Sequence, residues 1–152
     1  MALAGSNAQA APSAIPGLPG RTTKAPAFAV TVDLLPRATA ALKRRGETIV
    51  VLAYYYGLAN SRGAKYSDGM GQIYWSQEDQ IELSGPGVAR FGLHNLNAAL
   101  LDYFQDRKPE VLINVVSGRR TDPNNLLDCT VFEDSVYLAA SQGIRITCDL
   151  IR

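Results

Sequence analysis

Two cysteines sit in matching alternating patterns towards the end of this 152-residue sequence, and that match limits the available folds more than any other feature. In IRITCDLI (144–151), Ile144, Ile146, Cys148 and Leu150 share one face of an extended strand, while Arg145, Thr147, Asp149 and Ile151 share the other. In LLDCTVF (126–132) the same two-residue period groups Leu127, Cys129 and Val131. Each cysteine therefore points inward among aliphatic neighbours, the direction that a disulfide between adjacent strands requires. Closing a loop of about twenty residues stabilises a domain by roughly 3 kcal/mol in the chain-entropy model. The alternative is two buried free thiols, since cysteine is among the most buried residue types even when reduced.

Short apolar runs separated by turn residues fill the sequence before these strands. FAVTVDLL (28–35) is rich in β-branched residues and reads as a strand. Pro36, the spacing of Ala38, Ala41 and Leu42, and the cations Lys43, Arg44 and Arg45 before Gly46 mark a short helix. ETIVVLAYYY (47–56) is apolar at both parities, which predicts a central strand covered on both faces. Residues 57–71 are rich in Gly, Ser, Asn and Asp and read as a long loop. QIYWSQEDQIEL (72–83) reads as two short strands around SQED, and 84–87 as a turn. VARFGL (88–93) reads as a half-buried strand. Leu96, Leu100, Tyr103 and Phe104 fall at helical spacing, predicting a helix from Asn95 that Pro109 closes. EVLINVVS (110–117) is a second buried strand. DSVYLAASQG reads as a hairpin turning at Gln142-Gly143, or as one helical turn at VYLAA.

Many short strands with few helices and no helix–strand repeat predict a mainly β chain: an antiparallel β-sandwich, immunoglobulin-like or transthyretin-like, with one or two short helices. Four of the eight prolines, Pro12, Pro16, Pro19 and Pro26, lie in residues 1–26, which read as a flexible leader ahead of a single domain over 27–152. Ala8-Gln9-Ala10, preceded by Ala2-Leu3-Ala4-Gly5, resembles the cleavage end of an export signal, so the leader reads as a signal-peptide remnant. An exported chain and an even, parity-matched cysteine pair support one another, and together they predict a periplasmic or secreted protein with one disulfide. A cytosolic sandwich with free thiols and an Ala/Pro/Gly-rich leader is the competing reading.

The net charge of +1 supplies no field that would steer the chain to nucleic acid, and the basic clusters Lys43-Arg44-Arg45 and Arg119-Arg120 are too small to do so. No run of eighteen apolar residues occurs, so a spanning helix is not expected. His94, the only histidine, makes no zinc motif with the cysteines, and no G-x-S-x-G turn presents a serine to it. The glycines of SDGMG (67–71) lack the lysine and hydroxyl of a phosphate loop. Carboxylates cluster at Glu78, Asp79 and Glu82 and at Glu133 and Asp134, the residue type a glycosidase needs, although acid pairs in polar loops are more often solvated.

Aromatic residues supply the candidate site. Alternation puts Tyr54 and Tyr56 on one face and Tyr55 on the other, with Tyr66, Tyr74 and Trp75 close in sequence. Part of the set belongs to the core. The remainder, with Arg62 and Lys65, forms a patch of the kind that dominates binding hot spots. The sequence thus predicts a non-enzymatic interaction protein: an inhibitor, an immunity-like partner or an envelope-assembly component. Its binding residues are Tyr54, Tyr56, Arg62, Tyr66, Tyr74 and Trp75, its disulfide is Cys129–Cys148, and it needs no cofactor or metal. The partner is another protein; the alternative is a glycan, bound by a module or by a weak hydrolase using Glu78 or Asp79.

Overall fold

A computed structural model describes residues 15–152. The Ala8-x-Ala10 signature falls outside the described residues. In chain order the elements are β1 (Thr22–Ala25), β2 (Phe28–Leu34), α1 (Pro36–Arg45), β3 (Ile49–Leu58), β4 (Gln72–Tyr74), β5 (Asp79–Leu83), β6 (Gly87–Phe91), β7 (His94–Asn97), β8 (Glu110–Ser117), β9 (Leu127–Cys129), β10 (Phe132–Ser135), α2 (Val136–Gln142) and β11 (Ile144–Leu150). Short 3-10 turns occupy Ala64–Tyr66, Ala98–Tyr103 and Gln105–Arg107.

The chain is mainly β and sandwich-like, as its alternation predicts. A five-stranded sheet runs β10-β8-β3, with β5 and β4 sharing the far edge of the long strand β3. A four-stranded sheet runs β6-β2-β11-β9, and β1 pairs with β7 in a small ribbon. The pairings are antiparallel except that of β11 with β2, which is parallel in the middle of the four-stranded sheet. That exception arises because α2 carries the chain from β10, in one sheet, back to the other before β11 begins.

The core lies between the two sheets. Ile49, Val51, Ala53 and Tyr55 of β3 and Val111, Ile113 and Val115 of β8 meet Phe28, Val30 and Val32 of β2 and Ile144 and Ile146 of β11. Phe28 stacks on its cross-strand partner Phe91 with ring centroids 5.1 Å apart. Helix α1 begins with Pro36 and ends in the left-handed Gly46, whose φ of 66° a side chain would disfavour. It buries Ala38, Ala41 and Leu42 against β2 and β11.

Three expectations change, and of two alternatives for VYLAA one holds. The packed region begins before Ala27, because Thr22–Ala25 pairs with β7 and the Ala25 side chain is buried in the core. For the same reason residues from Asn95 form a strand instead of a helix: β1 supplies a backbone partner, and Leu100 reaches the core from a 3-10 turn. Residues 126–132 do not form one strand. The chain leaves the four-stranded sheet after Cys129 and joins the other at Phe132, so the alternation breaks and Val131 is exposed. VYLAA is helical: Ser135 caps α2 by accepting the Tyr137 N–H at 3.1 Å.

Cys129 and Cys148 are directly opposite one another on β9 and β11, with Cα atoms 4.0 Å apart, and are disulfide-bonded. The bond fastens the three-residue edge strand β9 to the sheet that β2 and β11 centre.

Candidate functional site

Strand β3 sets the candidate site. Its odd-numbered residues face the other sheet, and its even-numbered residues Val50, Leu52, Tyr54 and Tyr56 face outward. Outward neighbours follow from the register: Val116 and Glu82 flank Val50, Asn114 and Gln80 flank Leu52, Leu112 lies beside Tyr54, and Glu110 and Tyr74 flank Tyr56. Val50, Leu52, Tyr54, Leu112 and Val116 are all half-buried, while Tyr74 is 44% exposed. The double-parity apolar run of 47–56 therefore has one face covered by a second sheet, whereas the other belongs to this open outer face.

The opposite outer face of the sandwich differs. There Thr31, Asp33, Arg145, Thr147 and Asp149 project from β2 and β11, with ion pairs Arg145–Asp33 and Arg37–Asp149. One face carries ion pairs around an exposed Val88 of β6, and the other carries half-buried aliphatic side chains and tyrosines with Asn114 and Gln80 beside Leu52.

Charged groups border the apolar face at both ends. Tyr56 donates its hydroxyl to Glu133, and burial followed by that bond raises the phenol above its ordinary range. Glu110, buried at the start of β8, is raised by burial, which outweighs the opposing Lys108 ammonium 3.7 Å away. Lys108 also reaches Asp134 at 3.4 Å. At the other end Arg120 clamps Glu82 through two guanidinium nitrogens. Together with the Thr48 hydroxyl it holds the Glu82 carboxyl at about 2.

Beside Tyr54 and Tyr74 a cleft of about 400 Å³ opens, lined also by Tyr55, Ser76, Gln77 and Glu78. Tyr74 is oriented by hydrogen bonds to Asp68 at 3.1 Å and Gln72 at 3.0 Å. Burial and then the Glu78 charge raise the Tyr54 phenol, so both tyrosines are neutral donors at ordinary pH.

Of the six binding residues expected from sequence, Tyr54 and Tyr74 come together on the outer face, whereas Tyr56 has the same parity but is buried at 2% exposure, its hydroxyl held by Glu133. Tyr66 and Arg62 form a separate group around Tyr103: the Arg62 guanidinium lies 4.7 Å from the Tyr103 ring centre, and Tyr66 meets that ring edge-on at 6.0 Å. Trp75 is 1% exposed and belongs to the core, because β4 alternation turns it inward beside Tyr55, 5.0 Å between centroids. Its indole N–H donates to the Tyr56 carbonyl at 3.0 Å. Sequence reasoning missed Tyr103, which lies forty residues from the loop it packs on. It also missed Leu52 and Leu112, whose outward parity was legible but whose lack of cover was not.

Beneath the cleft lies a buried polar set. The Asp79 carboxylate accepts the Tyr55 hydroxyl at 2.9 Å and faces His94 Nε2 at 2.6 Å, while His94 Nδ1 lies 3.0 Å from the Gly92 carbonyl. A carbonyl can only accept, so Nδ1 carries a hydrogen and a single proton lies between Nε2 and Asp79. The set joins β3, β5 and β7, and all three side chains are buried. Among the described residues no group of three or more His, Cys, Asp or Glu side chains is arranged to hold a metal ion. No helix among them is long and apolar enough to cross a membrane.

No protein-family model matches the chain, and no curated protein or solved structure is significantly similar to it. What defines the molecule is its own geometry: a disulfide-bonded, sandwich-like β fold with ion pairs across one outer face and tyrosines beside half-buried aliphatic side chains on the other.

Proposed function

We propose that the protein is a non-enzymatic binding module of an oxidising, extracytoplasmic compartment, periplasmic or secreted, and that it engages another protein across the outer face of the five-stranded sheet. The observation that carries this reading is the contrast between the two outer faces. Val50, Leu52, Tyr54, Leu112 and Val116, all half-buried, form a mainly apolar row on this face, whereas the outer face of the other sheet is crossed by ion pairs. Tyrosine beside aliphatic side chains, with charges confined to the border, is the composition of an interface centre and its rim. The disulfide supports the compartment, because such bonds persist where the environment is oxidising.

Immobilised oxidised protein is exposed to envelope extract beside a Leu52→Glu/Tyr74→Ser variant and a Thr31→Glu variant of the opposite face, with retained proteins identified by mass spectrometry. The expected result is one protein held by the parent and by Thr31→Glu and lost from the double variant. Equal retention by all three refutes the placement.

The cleft at Tyr54 and Tyr74 favours a second reading, a glycan. Two tyrosine walls suit stacking on a sugar ring, and Gln77 and Glu78 offer an amide and a carboxylate to its hydroxyls. Saturable NMR shifts at these four residues on adding soluble oligosaccharides support it. Their absence across a broad panel refutes it.

A further inference from the structure

The cleft beside Tyr54 and Tyr74 has a charge as well as a shape. Tyr54, Tyr55, Tyr74, Ser76, Gln77 and Glu78 line its volume of about 400 Å³, and no lysine or arginine is among them. Tyr74 lies opposite Tyr56 in the β3–β4 register and so stands diagonal to Tyr54, a relation that separates two residues of a sheet by about 7 to 8 Å. A cation held between two such rings lies within the roughly 6 Å of a ring centre over which cation–π attraction acts.

Carboxylates set the sign of the field. Glu78 lines the cleft, and Asp68 accepts the Tyr74 hydroxyl at 3.1 Å. Beyond burial, the Glu78 charge raises the Tyr54 phenol, and the bond and charge of Asp68 raise that of Tyr74. Beneath them Asp79 and His94 share a single proton and form a neutral pair. The cations of the neighbouring elements are engaged elsewhere: Lys108 with Glu110 and Asp134, Lys65 over the Tyr66 ring. A phenol that donates to a carboxylate is polarised towards a more electron-rich ring, and bonds to both Asp68 and Gln72 fix Tyr74 before a ligand arrives. Aromatic walls with a carboxylate and no basic lining group select an organic cation. A quaternary ammonium fits best, because it brings no N–H donors to satisfy and its methyl groups meet the rings.

We infer that the Tyr54–Tyr74 cleft binds a small quaternary ammonium group, its methyl groups against the two tyrosine rings and its charge facing Glu78. The site stands apart from the sheet-face partner, and ligand charge distinguishes it from the glycan reading of the same cleft.

The test is a ¹H–¹⁵N NMR titration of the intact oxidised protein with choline chloride at constant ionic strength, run beside 3,3-dimethylbutan-1-ol, in which carbon replaces the charged nitrogen. Expected are saturable shifts at Tyr54, Tyr74, Gln77 and Glu78, with choline bound about tenfold more tightly than the alcohol. Tyr74→Leu and Glu78→Gln, both at exposed positions, each weaken choline binding about threefold and leave that of the alcohol unchanged. Flotation with phosphatidylcholine vesicles separates the two sources of the group: co-flotation assigns a lipid headgroup, and its absence a free small molecule. Equal binding of choline and the alcohol overturns the cation assignment in the parent protein alone, whatever the folding of the variants. Shifts that scatter over the surface, or that do not saturate up to about 10 mM, overturn the site itself.

Discussion

Replacing Glu47 by Gln isolates one buried anion whose worth depends on pH in a calculable way. Glu47 is 4% exposed and precedes β3, where it gathers the backbone of the 120–122 turn. Burial pushes its carboxyl up, but the N–H groups of Thr121, Thr48 and Arg120 and the Thr121 hydroxyl together pull it down to about 2 from 4.5. At 1.36 kcal/mol per tenfold change in proton affinity, that difference corresponds to about 3 kcal/mol of folding stability at neutral pH. The folded value lies below the unfolded one, so the contribution is present above pH 4.5, declines as pH falls and is gone near pH 2. Urea unfolding of the parent and Glu47→Gln at intervals from pH 7 to pH 2 reads the gap directly. It is expected to be about 3 kcal/mol at pH 7 and to close between pH 4.5 and pH 2, while Glu82, present in both proteins, cancels. A gap that is flat across this range, or below about 1 kcal/mol at pH 7, refutes the account of the carboxylate as the organiser of that turn.

Removing the disulfide by Cys129→Ser/Cys148→Ser, which opens a loop with a sequence separation of 19, lowers stability by about 3 kcal/mol in chemical denaturation. The untreated parent resists alkylation, since both sulfurs are bonded. Gly57→Ala places a Cβ 2.3 Å from the Phe104 ring, which is buried and cannot retreat, so its midpoint of thermal unfolding falls by several degrees. Tyr55→Phe keeps the ring in the core but removes a donor from the buried Asp79–His94 pair, at a loss of about 1 to 3 kcal/mol by urea unfolding.

The strands most legible in the sequence were those whose alternation and neighbours agree. EVLINVVS becomes β8 residue for residue, and IRITCDLI becomes β11 with Cys148 facing inward. Pro36 and Gly46 bracket α1 because their constraints are local: a fixed φ at the start and a left-handed one at the end. Failures came where a distant partner decided. Leu96 and Leu100 keep helical spacing in any reading, and only the pairing with Thr22–Ala25 turns that stretch into β7. Val131 obeys the parity of Cys129 yet points away, because the chain changes sheets between them. At the candidate site, alternation separates Tyr54 and Tyr56 from Tyr55 correctly. The apolar character of both β3 faces, however, cannot reveal which face another layer covers. Trp75 illustrates the same limit: an indole reads equally as anchor or as core until β4 is placed beside Tyr56.

The parallel pairing of β2 with β11 has a consequence for how the chain is born. The two central strands of one sheet are separated by nearly the whole length of the described sequence, so in a nascent chain emerging from the ribosome β3 and β8 are available to pair before β11 exists. Until then the layer opposing Val51, Tyr55 and Ile113 lacks Ile144 and Ile146, and Cys129 waits as a thiol for a partner synthesised nineteen residues later. Closure of the sandwich and oxidation of the cysteines are thus one late event, in which long-range pairing is slow and exposed apolar surface invites misassembly. If, as proposed, the chain is exported before it folds, that delay keeps the polypeptide threadable until β11 has crossed, and the disulfide closes only in the compartment that can oxidise it.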